Sequence, residues 1–336
     1  MPIHGHMRLL FLIGALVTIP LPVAHADFAE DMKERMAAEI DVQDPEARRR
    51  WAEDILEKAE AEDASPALLS MAGFAYHMAK PKGKPAVACG YWRRAAEKDF
   101  AIAMHFVGEC YARGWLTHNA KEELAYWYGK AVEAGHWTSL CALGELRMQG
   151  RILEKDVPQG IAECRTAAEN GAMEAQLTMG DLFSNGTFLE PDYEIAARWY
   201  RLAFMQESPK AGYMLATLHF AGDYPQESQL LAAQYAEYAA IAGFSRAPEL
   251  TARLIWTELT SDEVRFAERL YGELGWRHYY WLRRAAEGQH GSPQIVDFYR
   301  DFQTKLPADL HEAWKKLFQE GRGAVEVGGP LLTDLE

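Results

Sequence analysis

Cysteine is scarce in this 336-residue chain: there are four, and no two form a C-x-x-C pair. That argues against a zinc site or a dithiol redox centre, both of which commonly need two sulfurs about one turn apart. Positive charge is also in deficit, with 35 Lys and Arg against 49 Asp and Glu and a formal net charge of −14. Phosphate backbones are repelled by such a balance, so nucleic acid is not an expected partner. Catalytic signatures with a mechanical reason behind their spacing are missing as well. H-E-x-x-H, G-x-S-x-G, S-x-x-K, G-x-x-x-x-G-K and G-x-G-x-x-G do not occur. His311-Glu312 opens like a zinc helix, but no second histidine follows at the required turn. The expectation is a protein that is not an enzyme and carries no cofactor or metal.

Long apolar runs are lacking too. The run Leu9–Ile19 is well short of the ~20 residues that a membrane-crossing helix needs. It follows Arg8 and precedes Pro20, Pro22 and the small-residue site Ala24-His25-Ala26, which is the anatomy of a secretory signal peptide over residues 1–26. Cleavage before Asp27 would leave no transmembrane segment and places the mature chain in the periplasm or outside the cell. Residues 27–65 then form an acidic N-terminal helical cap, in which Asp44-Pro45-Glu46 starts a helix with Trp51, Ile55, Leu56 and Ala59 on one face.

What is present is a repeat. At a spacing of 36, alanine recurs as Ala95, Ala131, Ala167, Ala203 and Ala239, and glycine as Gly114, Gly150, Gly186 and Gly222. Gly108, Gly144 and Gly180 share the register, with Ala216 in the next copy; Gly135, Gly171 and Gly243 form a further column that Glu207 interrupts. Gly114 and its equivalents follow apolar helical stretches and should close the first helix of each hairpin in the left-handed region. Gly135, Gly171 and Gly243 should close the second. Gly108, Gly144 and Gly180 lie inside the first helix, where glycine costs about 1 kcal/mol relative to alanine, so close helix contact is the expected compensation. The alanine column is the expected opposing surface, with Trp92, Trp127, Tyr128, Trp199, Tyr200 and Tyr235 filling wider gaps.

Stacked hairpins of this kind share one core, because none can bury its apolar face alone. The pattern implies an all-α fold, an α/α superhelical solenoid of about six 36-residue helix-turn-helix repeats with helical caps. Five repeats cover 66–244 and a degenerate sixth covers 245–276, with Thr260-Ser261-Asp262-Glu263 as a capping box. A C-terminal helical cap covers 277–320, and the glycine-rich end, 321–336, is an expected disordered tail.

Ala103, Val107, Gly108, Tyr111, Gly114, Trp127, Tyr128, Ala131 and Gly135 together resemble the Sel-1-like repeat family, a relative of tetratricopeptide repeats. Its pattern is A-x-x-x-L-G-x-x-Y-x-x-G followed by W-Y-x-x-A-A-x-x-G. The third copy departs from it, with Glu163-Cys164 where the aromatic pair belongs. The resemblance implies an exported scaffold or adaptor of a bacterial-type envelope that binds a protein or peptide on a concave face lined by first helices. Cysteine-bearing relatives linked to penicillin binding imply an alternative, an envelope enzyme or small-ligand binder acting on cell-wall or β-lactam-like compounds.

Neighbouring antiparallel helices meet where residue numbers mirror each other about the turn between them. Cys89 and Cys110 mirror about the Asp99-Phe100 turn, and Cys141 and Cys164 about the Arg151–Lys155 loop. Of the three possible pairings these two are favoured over free buried thiols. For partner binding, Glu109, Glu145 and Asp181 form an acidic ladder, each directly after an intrahelical glycine. With His105 and Tyr213 at a neighbouring outward position, they suggest a groove for a basic or extended segment, or simply solvated helix faces. Trp115 and Trp137 sit at helix boundaries where the repeat demands no aromatic, as surface anchors or as packing.

Overall fold

The computed structural model describes residues 45–79, 84–221, 229–260, 273–288, 292–306 and 308–319. The signal peptide, the leader up to residue 44, Gly222, the capping-box residues 261–263 and the tail from 321 lie outside the described residues. All regular structure among the described residues is α-helical. The chain divides into two compact units, one ending at His136 and the other beginning at Trp137.

The first unit contains α1 (Pro45–Ala59), α2 (Pro66–Ala79), α3 (Pro85–Ala96), α4 (Ala101–Ala112) and α5 (Ala120–Glu133), each packed on the next. The second begins with α6 (Thr138–Gln149), α7 (Val157–Glu169), α8 (Met173–Asn185), α9 (Tyr193–Phe204) and α10 (Pro209–Ala221). It continues with α11 (Gln229–Ile241), α12 (Ala247–Thr260), α13 (Glu273–Glu287), α14 (Pro293–Lys305) and α15 (Ala308–Gln319). From α6 to α13 each helix packs on its successor, and first helices also touch, α6 with α8 and α10 with α12. This is the α/α repeat arrangement that the 36-residue period implies.

Local chemistry sets the helix ends. Proline opens α1, α2, α3, α10 and α14, at a position whose N–H has no helical partner. Asp156 and Asp192 cap α7 and α9 by accepting from the backbone of Gln159 and Ile195 at 3.0 and 2.9 Å. Gly114, Gly150 and Gly186 follow the first helices with φ of 69°, 66° and 67°. Gly135, Gly171 and Gly243 follow the second with φ of 89°, 87° and 85°. In the first and fourth repeats that second position is held by Asp99 and Glu207, which take φ of 59° and 62°. The backbone turn therefore persists where glycine does not.

The intrahelical glycines do mark close contact, but the expected partner is corrected. A Cβ on Gly108 would stand 2.5 Å from the ring of Tyr128, and Gly180 lies likewise against Tyr200 and Gly73 against Trp92. The glycine makes room for a ring on the second helix, while the alanines of the 95, 131, 167, 203 and 239 column are separately and fully buried. The third repeat replaces this pair by another solution. Gly144 meets the backbone of Gly160, so α6 and α7 touch main chain to main chain. Cys164, at the tyrosine position, bonds to Cys141 with Cα atoms 4.0 Å apart, and Glu163, at the tryptophan position, pairs with Arg147. Cys89 and Cys110 join α3 to α4 with Cα atoms 6.1 Å apart. Both favoured pairings are formed.

Beyond Gly243 the register holds further than its residue pattern suggests. Ala252 in α12 is fully buried, 36 after Ala216 in the glycine column, and α13 packs on α12 as the second helix of the sixth repeat. One helix, Glu273–Glu287, thus runs through residues 276 and 277, where the sixth repeat was expected to end. Thr260 ends α12, and its hydroxyl donates back to the Trp256 carbonyl at 2.9 Å. Glu237 anchors α13 to α11: it is 1% exposed, pairs with Arg277 and accepts from Trp281 Nε1 at 2.8 Å.

Candidate binding cleft on the first-helix face

In the first unit Glu109 is engaged within its own repeat. It accepts from the Tyr128 hydroxyl at 2.8 Å and from Arg113 Nε at 2.8 Å, and its side chain is 23% exposed. Burial pushes its carboxyl upward, but those two hydrogen bonds together with neighbouring positive charge outweigh burial and hold it below the usual carboxylate range. In the second unit Asp181 repeats the arrangement, accepting from Tyr200 at 2.7 Å and from Lys210 Nζ at 3.2 Å. Burial, followed by the bond to Asp181, drives the Tyr200 hydroxyl upward. Glu145 has no tyrosine opposite, since Cys164 stands there, and accepts instead from Thr178 of α8 at 2.9 Å. The ladder position thus links a first helix to the neighbour it packs on.

His105 and Tyr213 are half-buried and each packs within its own hairpin, while Tyr213 also lines a cavity described below. Their column continues through Cys141 and Leu177, which are 3% and 7% exposed. His105 packs on His136 at 4.8 Å between ring centroids, and Tyr213 on Phe244 at 4.9 Å. In each case the partner directly follows the glycine that closes the second helix, so the pair seals the hairpin. Burial lowers the His105 pKa from 6.5 to about 4, which makes it neutral at pH 7. Of the two tryptophans, Trp137 packs against the buried cluster of Cys141, Cys164 and Met179. Trp115 is partly buried, with the Arg113 guanidinium 5.5 Å from its ring centroid.

The ladder changes character as it advances through the second unit. After Asp181 the equivalent positions are Thr217 in α10 and Arg253 in α12. These two side chains line a cavity of about 500 Å³ with Tyr213, Ser245, Arg246 and Arg284. Glu249 is also in its wall, held by Arg253 at 2.8 Å and by the Ser292 hydroxyl at 3.2 Å. A second cavity of about 400 Å³ adjoins the first, sharing Phe220 and Arg253 and otherwise walled by Trp256, Leu282, Ile295 and Phe298. Phe220 is 47% exposed, a large aromatic left open at the junction. Sequence reading missed this place. The signal was Arg253, reached by counting 36 onward from Thr217, past the point where the glycine and alanine columns fade.

Among the described residues no group of three or more His, Cys, Asp and Glu side chains is placed to hold a metal ion, and no helix is long and apolar enough to cross a membrane. No family model matches the chain. An uncharacterised protein, NMB1327, of Neisseria meningitidis serogroup B is 25% identical over 118 residues, 35% of this chain and 24% of that protein. The likeness therefore spans about a quarter of that relative's length. Among solved structures, a Sel1 repeat protein from Oxalobacter formigenes superposes with a TM-score of 0.51 and 19% identity, covering 71% of this chain and 96% of the other. Protein c5321, a protective antigen present in uropathogenic Escherichia coli strains displaying an SLR fold, gives 0.41 and 18%, over 88% and 78%. A putative Sel1 repeat protein from Klebsiella pneumoniae gives 0.40 and 18%, over 60% and 98%. The Oxalobacter likeness identifies the fold as that of Sel1-like repeats.

Proposed function

We propose that this protein is an exported, non-enzymatic scaffold that holds a segment of another protein on the first-helix face of its repeats. The observation that carries this reading is the pair of adjoining cavities at α10, α12, α13 and α14, which open where the ladder position passes from acids bonded to neighbouring helices to Thr217 and Arg253. Elsewhere the chemistry-bearing residues are spent in helix-to-helix packing: Glu109 and Asp181 on tyrosine hydroxyls, Glu163 on Arg147, and the cysteines on one another. Disulfides persist in oxidising compartments, so the two bridges support export, in line with the signal-like N-terminus.

The mature chain from Asp27, purified from an oxidising compartment, is to be offered a display library of random twelve-residue segments. Enrichment of linear segments that bind saturably is the expected result. Failure to enrich any, together with a labelled β-lactam adduct that survives denaturing electrophoresis, would replace the scaffold by an envelope enzyme.

A further inference from the structure

An acidic chain has little reason to gather guanidinium groups. Yet Arg246, Arg253 and Arg284 line one cavity in a protein whose formal net charge is −14. Like charges brought together repel, and around one recess their fields add. A single carboxylate, Glu249, answers them in the wall, and it is taken by Arg253. Arg246 and Arg284 are exposed and have no ion-pair partner among the described residues. Arg246 also directly precedes α12, whose first N–H groups bring the positive end of the helix dipole to the same rim. The recess is therefore short of two negative charges, and guanidinium groups match carboxylates in planar, two-pronged geometry.

The apolar neighbour narrows the ligand class. A free inorganic anion would be satisfied by the first cavity and would leave Phe220, Trp256 and Phe298 in water. Both cavities are filled by a ligand that presents a carboxylate and, a few ångströms along, a bulky apolar group. Together they offer about 500 and 400 Å³ on consecutive first helices, room for several residues of extended chain. Resting on the scaffold reading above, we infer that this double cleft binds an acidic segment of a partner protein in which Asp or Glu stands beside a large aliphatic or aromatic residue. The ladder position thereby reverses the expectation of a basic partner, since its sixth-repeat member is Arg253 and not an acid.

The same display library tests this. Enriched segments should pair Asp or Glu with Phe, Leu or Trp, and a synthetic copy should bind the mature protein with an affinity that falls as salt rises. Replacing its acids by Asn and Gln should weaken binding at least tenfold, as should Arg246→Glu with Arg284→Glu in the protein, provided its melting curve is unchanged. Phe220→Ser should weaken it several-fold without altering the salt dependence. Neutral or basic enriched segments, or equal binding to the charge-reversed variant, overturn the inference and leave the scaffold standing; no enrichment at all removes the scaffold as well. Displacement of the peptide by inorganic phosphate at equal concentration would make this a small-anion site and overturn the inference. A tenfold gain in peptide affinity on deleting residues 320–336 would identify the occupant as the chain's own end, with the same consequence.

Discussion

Glu207 holds the left-handed conformation, φ 62°, that glycine holds at Gly135, Gly171 and Gly243. An L-residue there costs roughly 1–2 kcal/mol, partly offset because glycine loses more freedom on folding. Glu207 is exposed, so Glu207→Gly removes no packing and should stabilise the second unit by about 0.5–1 kcal/mol in urea titration. Gly171→Ala, at φ 87°, should cost about 1 kcal/mol. Gly108 sets a different constraint, one of space. Its contact with the Tyr128 ring leaves no room for a methyl group, so Gly108→Ala should destabilise the first unit by about 1–3 kcal/mol. The fifth repeat shows how the chain itself resolves that clash, with Ala216 and Ala236, both fully buried, at the positions of Gly108 and Tyr128. A double-mutant cycle of Gly108→Ala with Tyr128→Ala should therefore show a favourable coupling of at least ~1 kcal/mol. Simple additivity would mean that ring and methyl do not compete for the same volume.

The two disulfides act on different helix pairs, α3 with α4 and α6 with α7, in different compact units. Each closes a loop of 21 or 23 residues, for which the chain-entropy model gives about 3 kcal/mol. Changing Cys89 and Cys110 to alanine should lower the melting temperature of the first unit alone, and changing Cys141 and Cys164 that of the second alone, as two resolved calorimetric transitions. A single transition that shifts equally in both variants would show that the units unfold as one. These bridges were legible in the sequence because mirror symmetry about a turn brings residues level whatever the rest of the helix contains. The closing glycines were legible for a related reason, that left-handed backbone favours one residue type so strongly that its period survives divergence elsewhere. Which surface each intrahelical glycine meets was not legible. The tyrosine and alanine columns both lie on the second helix, and spacing alone does not tell which of them faces the first. The third repeat looked degenerate for the same reason: Glu163 makes sense only beside Arg147, and Cys164 only beside Cys141.

Across the whole molecule, charge and hydrophobicity read from sequence suggested an acidic groove, whereas the cleft of the second unit is basic. The difference lies in what local sequence leaves out: whether a carboxylate is already satisfied is decided by a residue about 19 positions away, as for Glu109 with Tyr128 and Asp181 with Tyr200. The same burial that consumes polar groups makes the fold sensitive to acid. His278 is fully buried among Trp256, Phe298 and Phe302, and its Nδ1 bonds to the Ala252 carbonyl at 2.9 Å. Burial depresses its pKa to about 4 against that backbone bond, and burial does the same to His105 in the first unit. Above about pH 6.5 both histidines are neutral whether folded or not, and their titration has no effect on stability. Below it the unfolded chain takes up protons that the folded chain refuses, so stability falls with pH until the folded groups titrate near 4. For the fully buried His278 the span from 6.5 to about 4 corresponds to roughly 3 kcal/mol. Glu109 adds to the loss at the acid end, because its depressed carboxyl stabilises the fold above the unfolded carboxylate pKa and is protonated as pH falls further. Urea midpoints measured from pH 7.5 to 4.5 should decline in both units, and His278→Gln should flatten the decline of the second unit while leaving that of the first in place. Parallel declines of the second unit in wild type and variant would mean that its acid response does not come from His278, and that His278 is not the neutral core residue its surroundings make it.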